Sequence, residues 1–375
     1  MKAMTKRFLA WMLTVLLAMT MLPNAVAEEE LEDVLIEEDV EVLDLTISEE
    51  MEEAVENLDN WEIDDSVNPD DLELNHDLPD NVVNILLIGI DTRSKEMDGD
   101  SGLQHGDVQM ILSINSETGS VKLSSILRDL YVEIPGYRNK SRINNAYARG
   151  GGTLAMRTIN HNFDMNIQHY VTINFFGLAS VIDSIGGIDV DLTKREAGAI
   201  NTYLRKHPPA YDNTDGKSRV ELVREDGVQH LDGVQAVMYA RLREIDSDFA
   251  RTARQRHLLD LLLKKIMQDM SLNRLVELIN TTLPYVTTNV NGGTVLNLGR
   301  AVLSGDIITR AHQGEDLVGQ FRIPMDKTYG YSNVNGASVI VLSSKNLKLN
   351  VESLHSFIYD DKGVKRLETP IKVQH

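Results

Sequence analysis

Short apolar runs that end in turn residues alternate with segments of helical period from about residue 81 to residue 360. The run at 84–90 predicts a buried strand, and the runs at 108–114 and 121–126 predict two strands of a hairpin around the turn at 116–119. Further strands are predicted at 171–175, 188–192, 318–323 and 337–342.

Three segments have helical character. Helices are predicted at 150–160, 177–185 and 249–270, the last because Leu258 and Leu262 recur at helical spacing and Ile266 continues the series. Residues 234–243 are expected to begin helical or irregular and to end in an extended stretch. Because helices and strands alternate without an internal repeat, the sequence predicts an α/β layered domain from about 81 to 360.

The first 27 residues have the layout of an export signal. Basic residues in the first seven positions precede an apolar run at 8–22, and a small-residue cleavage pattern follows at 25–27. The apolar run has 15 residues, whereas a membrane span usually needs about 20. We expect a cleaved signal peptide, with an uncleaved membrane anchor as the alternative. Both interpretations place residues 28–375 outside the cytoplasm.

The segment 28–80 is strongly acidic. It contains 24 Asp and Glu and no Lys or Arg, a composition that predicts a solvated, largely disordered spacer. Alternatively, part of it forms a weak helix that docks elsewhere, since Thr46 and Glu49 fit a capping box and apolar residues follow at helical spacing. Residues 361–375 are expected to form a C-terminal tail.

Composition excludes several classes of function. The net charge is −20, but the chain outside the spacer has 33 acidic and 37 basic residues. That nearly neutral remainder gives little support to non-specific nucleic-acid binding, and we expect no nucleic-acid partner. Since the chain has no Cys, disulfides, thiolate metal sites and a catalytic thiol are excluded. The sequence shows neither a P-loop lysine pattern nor a GxSxG elbow.

Two carboxylates stand next to predicted strands. Asp91 directly follows the strand at 84–90, and Asp107 precedes the next one. Ligands in α/β sheets collect at strand ends, and two such carboxylates can share one Mg²⁺. Capping of a turn is the alternative interpretation, because Asp is common there.

Arginines cluster near residue 250. Arg241 and Arg243 would share one face of an extended segment, while Arg251 and Gln255 share a helix face that continues into Leu258 and Leu262. An inward arginine near the helix N-terminus indicates an anion-binding cleft. The alternative is a structural ion-pair cluster with the acidic residues at 244–248.

A series of short motifs occurs in one order over about half of the chain. The motifs are NILLIGIDTR at 84–93, Gly106-Asp107 before MILSIN at 110–115, SILRD at 125–129, VEIPG at 132–136, RINNAY at 142–147, IGGIDV at 185–190, LDGVQA at 231–236, YARLR at 239–243, DFAR at 248–251 and Arg254-Gln255. Single motifs are weak, but this many in order are specific. The chain resembles the LytR-CpsA-Psr family of bacterial cell-wall glycopolymer transferases.

This resemblance implies an α/β/α layered domain with a central mixed β-sheet and a hydrophobic lipid-binding channel. The apolar residues at 175–185 and 258–267 fit such a channel or an ordinary core. By motif position, Asp91 and Asp107 are the implied ligands of Mg²⁺ (or Mn²⁺) and, with Arg128, the implied catalytic residues. The implied pyrophosphate-binding residues are Arg93, Arg142, Arg241, Arg243, Arg251 and Gln255, with Arg128 beside them.

The implied reaction is phosphoryl transfer in envelope assembly. A polyprenyl-pyrophosphate-linked glycopolymer, such as a teichoic acid or capsular polysaccharide, would pass to a peptidoglycan hydroxyl at the membrane surface. A polyprenyl-pyrophosphate hydrolase and a non-catalytic carrier-binding module are the alternatives. Two features depart from the family pattern: residues 104–106 lack the usual Arg before Asp107, and the N-terminus resembles a cleavable signal, whereas members typically carry an anchor.

Overall fold

The computed structural model describes five long segments and several short ones. They are residues 64–90, 104–206, 226–242, 248–268 and 318–360, together with Val223, 286–291, Thr294, Asn297, Leu298 and Ala301. The predicted signal segment, residues 28–63 of the spacer and the C-terminal tail lie outside the described residues. None of the described helices combines the length and the apolar character that a membrane crossing requires.

The described residues contain strands and helices in a mixed order. The strands are β1 (Val82–Ile90), β2 (Gly106–Asn115), β3 (Val121–Ile126), β4 (Tyr131–Val132), β5 (Ser141–Arg142), β6 (His169–Asn174), β7 (Ile188–Leu192), β8 (Gly227–Leu231), β9 (Val286–Thr288), β10 (Val318–Ile323), β11 (Gly330–Val334) and β12 (Ala337–Val341). The helices are α1 (Asn145–Phe163), α2 (Phe175–Ser184), α3 (Lys194–Lys206), α4 (Gly233–Arg241), α5 (Asp248–Gln268) and α6 (Ser344–Tyr359).

Six strands form a central mixed sheet in the order β10-β3-β2-β1-β6-β9. β1 runs antiparallel to β2 and parallel to β6. The hairpin of β2 and β3 is antiparallel, β10 is parallel to β3, and β9 is antiparallel to β6. Three two-stranded sheets, β4 with β5, β7 with β8, and β11 with β12, accompany it among the described residues.

Both faces of the sheet are buried beneath helices. Along β1, Ile85 belongs to the apolar cluster that residues of α2, α4 and α5 complete. Its neighbours Leu86 and Ile88 belong to the second cluster, which residues of α1 and α6 complete. Because successive strand side chains point to opposite faces, β1 contributes to both cores. The predicted α/β class and the three-layer α/β/α arrangement are therefore confirmed.

The predicted strands agree closely with the structure. All seven are present with ends within two residues of the prediction, and the hairpin at 116–119 is confirmed. The predicted helix at 150–160 is longer: α1 begins at Asn145 and has a kink, because Gly150 and Gly151 have non-helical dihedral angles. Helices α3 and α6, strand β8 and the short strands β4, β5, β9 and β11 were not predicted.

The prediction that the segment 234–243 ends in an extended stretch is wrong for Arg241. Helix α4 continues to Arg241, and Leu242, directly after it, has non-helical dihedral angles (φ −54°, ψ 124°). A capping box holds the start of α4: the Asp232 side chain accepts from Gln235 N, while the Gln235 side chain accepts from Asp232 N. The resulting helix places Arg241 at its C-terminal turn.

A close contact fixes α4 against α2. A Cβ added at Gly233 would lie 2.0 Å from the Ala179 carbonyl oxygen, so that only glycine fits this approach. The Gly233 N–H also donates to Asp183 Oδ1 at 2.6 Å. The first turn of α4 therefore packs closely against the backbone of α2 and is hydrogen-bonded to an α2 side chain.

Residues 64–80, assigned to the spacer by their composition, contact the domain. Leu72 is fully buried in the second core cluster, and its carbonyl accepts from Asn160 Nδ2 at 2.9 Å. Asp64 N donates to Thr288 O at 2.9 Å. The compact structure therefore includes residues before Asn81, and the rest of the predicted domain division stays a prediction.

Leu72→Ala tests whether this segment stabilises the domain. Because Leu72 is fully buried, its truncation should lower the free energy of unfolding by about 2–5 kcal/mol. Leu349→Ala on α6 is the control, since Leu349 is 44% exposed and its loss should change stability by less than about 0.5 kcal/mol. Denaturant titration measures the free energy of unfolding of both variants. A Leu72→Ala variant as stable as the Leu349→Ala control would contradict a structural role for Leu72.

Candidate functional site

Several strand ends meet at one edge of the central sheet. Ile90, the last residue of β1, pairs with Gly106 on one side and with Asn174 on the other. Two strands farther along, Ile126 at the end of β3 pairs with Ile323 at the end of β10. The segments that leave these strands therefore start at a common edge, the usual place of ligand sites in α/β sheets.

An ion pair lies at this edge. Asp107 is the second residue of β2, and Arg128 follows the end of β3 by two residues. Arg128 Nη1 lies 3.0 Å from Asp107 Oδ1, and the two side chains are only 17% and 16% exposed. A pair this far from water interacts more strongly than one on the surface.

The ion pair continues into a chain of alternating charges. Arg128 Nε lies 3.5 Å from Asp129 Oδ2, and Arg142 Nη1 lies 3.3 Å from Asp129 Oδ1. Arg142 is held by β5, which pairs with β4 through Tyr131. The structure thus joins Asp107, Arg128 and Arg142, three of the predicted site residues, through Asp129.

Asn144 connects the two loops of this charge chain. Its backbone N–H donates to Arg128 O at 3.3 Å, and its carbonyl accepts from Gly106 N at 3.3 Å. Its side-chain Nδ2 lies 3.5 Å from Asp107 Oδ1, while its buried Oδ1 has no hydrogen-bond partner among the described residues. The sequence prediction did not single out Asn144, although the RINNAY motif contains it.

Arg241 reaches the same edge from α4. Its Cζ lies 4.3 Å above the Phe175 ring, and the Tyr203 ring is 5.8 Å away. Phe175 begins α2 directly after Asn174, whose side chain caps this helix by accepting from Gly177 N. The aromatic ring therefore positions the guanidinium next to the end of β6.

Helix α5 supplies an inward polar face, as predicted. Arg251 is 3% exposed, and Leu258 and Leu262 farther along the helix are buried. Gln255 is half-buried, and its Nε2 donates to Ala240 O at 3.4 Å. The predicted common face of Arg251 and Gln255 is confirmed, and it adjoins the C-terminal end of α4.

Arg254 has a structural role at this junction. Its Nη2 donates to Leu242 O at 2.7 Å, and its Nη1 lies 3.7 Å from a Glu196 oxygen on α3. Arg254 is 5% exposed, so its bonds connect α5 with α3 and with the residue after α4 in the interior. It therefore ties the start of α5 to the residue after α4, the region that carries Arg241.

Three predicted site residues, Asp91, Arg93 and Arg243, lie outside the described residues, as do the acidic side chains at 244–248. Within the described part of the chain, no group of three His, Asp or Glu side chains is arranged to bind a metal ion. Asp107 alone does fit a hard cation, since Mg²⁺ commonly uses one or two protein carboxylates together with substrate phosphates. The metal assignment of Asp91 and Asp107 stays a prediction.

A family model and two relatives of known name match large parts of this chain. The sequence model of the LytR_cpsA_psr family matches residues 45–354. The polyisoprenyl-teichoic acid–peptidoglycan teichoic acid transferase TagU of Enterococcus faecalis is 32% identical over 212 residues, which are 55% of this chain and 61% of TagU. The regulatory protein MsrR of Staphylococcus aureus is 26% identical over 285 residues, 75% of this chain and 76% of MsrR.

Solved structures show the same fold. TagT bound to LIIa-WTA has a TM-score of 0.54 and 21% identity, covering 74% of this chain and 91% of TagT. TagV from B. subtilis also has a TM-score of 0.54, with 24% identity over 75% of this chain and 98% of TagV. A TagT structure with bound octaprenyl pyrophosphate lipid has a TM-score of 0.51 and 20% identity, covering 74% of this chain and 91% of TagT.

Arg128→Ala tests the charge chain. The substitution leaves Asp107 and Asp129 without the guanidinium that lies between them, and should lower the free energy of unfolding by about 1–3 kcal/mol. Lys348→Ala is the control, because Lys348 is 79% exposed in its pair with Glu352 and such pairs contribute little. Thermal or denaturant unfolding compares the two variants. An Arg128→Ala variant as stable as the unmodified protein would show that the charge chain does not stabilise the fold.

Proposed function

The chain belongs to the LytR_cpsA_psr family, and on that premise we propose that it transfers a glycopolymer from a polyprenyl-pyrophosphate carrier to a hydroxyl group of peptidoglycan. The observation that carries the proposal is the gathering of cationic side chains with a partly buried carboxylate at one edge of the sheet. TagU, a relative named as a teichoic acid transferase, supports the substrate class.

The arginines of this edge are suited to a pyrophosphate. Arg128 and Arg142 are held in place by Asp107 and Asp129, and Arg241 is held by the Phe175 ring. Guanidinium groups bind phosphate oxygens with two parallel hydrogen bonds. Because their orientation is fixed before ligand arrives, little side-chain entropy is lost on binding.

The proposed reaction is a displacement at the phosphorus next to the sugar. The acceptor hydroxyl oxygen forms a bond to that phosphorus, and the bond to the bridging oxygen breaks. Polyprenyl phosphate leaves with the bonding electron pair, and a carboxylate, Asp91 or Asp107, takes the hydroxyl proton. The arginines stabilise the negative charge that moves to the bridging oxygen, which is the main requirement of phosphoryl transfer.

Mg²⁺ would be held by Asp91 and Asp107 together with the phosphate oxygens of the substrate. When bound, it would neutralise phosphate charge beside the arginines. Asp107 takes part in the Arg128 ion pair, so that its carboxylate would be shared between the cation and this arginine.

We expect the polyprenyl chain to contact apolar side chains of α2 and α5. Phe175 and Leu178 of α2, and Leu259 and Leu261 of α5, are only partly buried against the first core cluster. By contrast, Leu258 and Leu262 are 1% exposed and belong to the core itself. Partly buried apolar side chains are what an apolar chain would contact. The predicted export signal and a membrane-borne carrier both support a location outside the cytoplasm, at the membrane surface.

Asp107→Asn and Asp91→Asn should each reduce transfer by about 10²–10⁴-fold if these carboxylates take the proton. The assay incubates the protein with a lipid-linked oligosaccharide and peptidoglycan fragments, and follows the conjugate by mass spectrometry. Asp189→Asn is the control, since Asp189 is exposed on β7 and away from the cluster. Full activity in both site variants would refute the assignment, and released oligosaccharide without conjugate would indicate a hydrolase.

Arg251→Ala should lower the affinity for a lipid pyrophosphate by about ten- to a hundredfold, because one charge-assisted hydrogen bond is worth about 1.5–3 kcal/mol. Arg195→Ala on the exposed side of α3 is the control and should bind as the unmodified chain does. Thermal unfolding of the ligand-free protein distinguishes the structural alternative. Lost stability with retained affinity would show that Arg251 serves the fold and not the ligand.

A further inference from the structure

Two arginines and three aromatic residues form a second group where α5 meets β10. Its members are Phe249 and Arg256 of α5, Arg322 of β10, Tyr329 and Tyr331. We refer to these five residues as the arginine–aromatic surface. None of them belongs to the set of site residues predicted from the sequence.

The rings of this surface lead from the interior to solvent. Phe249 stacks on Tyr329 with a centroid distance of 5.0 Å, and Tyr329 meets Tyr331 edge-to-face at 5.8 Å. Tyr331 is 66% exposed, although burying an aromatic ring is usually favourable. On the inner side, Arg322 Cζ lies 4.4 Å above the Phe249 ring.

The arginines of the surface carry more positive charge than their described partners balance. Arg256 Nε donates to Gln320 Oε1 at 3.2 Å, but its buried Nη1 has no acceptor among the described residues. Arg322 pairs with Asp326, whose side chain is 69% exposed. Burial and the charge of Arg322 lower the pKa of Arg256 to about 10. Because the charge of Arg322 acts unfavourably on Arg256, an anion bound between the two would offset their repulsion.

A further polar group lies beside these arginines. Arg322 pairs in register with Ser125 of β3, and the buried Ser125 Oγ has no hydrogen-bond partner among the described residues. Buried polar groups in native structures are normally hydrogen-bonded. An anion held at Arg256 and Arg322 would place an acceptor next to this hydroxyl.

The surface borders the candidate site. Tyr331 of β11 pairs with Ile340 of β12, and Ile340 N donates to Asp129 O at 2.9 Å. Asp129 is a member of the charge chain that contains Arg128. Strand β12 therefore connects the arginine–aromatic surface with the charge chain.

We propose that the arginine–aromatic surface binds an anionic carbohydrate, with sugar rings against Tyr331 and Tyr329 and a phosphate or carboxylate at Arg256 and Arg322. The apolar face of a sugar ring packs on an aromatic ring, while its hydroxyls bond to neighbouring polar groups. The exposed Tyr331, the partly buried Tyr329 and the neighbouring guanidinium groups together offer both properties. This inference rests on the proposed function for its occupant, the glycopolymer portion of the substrate.

The test measures binding of lipid-free sugars to the purified chain by calorimetry. The probes are a phosphorylated disaccharide, a uronate disaccharide and the same disaccharide without charge. The charged probes should bind more tightly than the neutral one, and comparing the two anions tells phosphate from carboxylate. Arg256→Gln and Arg322→Gln should each weaken binding of the preferred anion by about tenfold or more. Tyr331→Ala should weaken all three probes.

Arg149→Gln is the matched control. Arg149 Cζ lies 4.6 Å above the exposed Tyr137 ring, and this described pair contains one arginine instead of two. Its binding should equal that of the unmodified chain. Equal affinity for charged and neutral probes would overturn the proposal. So would unchanged affinity in Arg256→Gln, including the case in which that variant only loses thermal stability.

The outcome is separable from that of the transfer assay. The probes contain neither carrier lipid nor pyrophosphate, so Asp107→Asn should bind them normally even when it transfers nothing. Failure of sugar binding with intact transfer would overturn this inference alone. Failure of transfer with intact sugar binding would overturn the proposed function alone.

Discussion

The pairing of β1 with β2 on one side and with β6 on the other is the constraint on which the rest of the structure depends. β1 sends Ile85 into one apolar layer and Leu86 into the other, so a slip by one residue would reverse every contact on both faces. The register is therefore strongly determined. Ile90 pairs with Gly106 on one side and with Asn174 on the other. The positions of Asp107 and Phe175, the next residues along β2 and after β6, are therefore closely determined.

The charge chain uses this fixed edge. Asp107 and Asp129 separate the positive charges of Arg128 and Arg142, so that the guanidiniums are oriented without a ligand. Partly buried ion pairs cost desolvation energy. Here the pairs lie where two loops already meet. In the proposed function, the oxygens of a pyrophosphate would take over hydrogen bonds that the carboxylates make to these guanidiniums.

Strand positions could be predicted from the sequence because buried strands have sharp apolar boundaries, as β3 and β7 show. Arg241 was assigned an extended conformation because α4 is buried on nearly all sides: residues 235–240 are all buried, and such a helix shows no amphipathic period. Helix α6 did carry a readable signal, since the Ser343 cap precedes Leu347, Val351 and Leu354.

Composition gave a misleading result for Leu72. Averaged over 28–80, the spacer is acidic, yet this one leucine is fully buried and fixes the residues around it. Asn144 was missed for a different reason: its main contribution is two backbone hydrogen bonds between loops, and such contacts are set by tertiary structure. Contacts that join distant segments through the backbone leave no pattern in residue type.

The contact between Gly233 and Ala179 has a consequence for how the site can change. Arg241 lies eight residues after Gly233, about 12 Å along the axis of α4 at 1.5 Å per residue. Any side chain at position 233 would push the first turn of α4 away from α2, and a rigid helix would carry that displacement to the guanidinium at its far end. The range of sequences compatible with the site is thus limited by a glycine at the opposite end of α4 from the arginine that it positions.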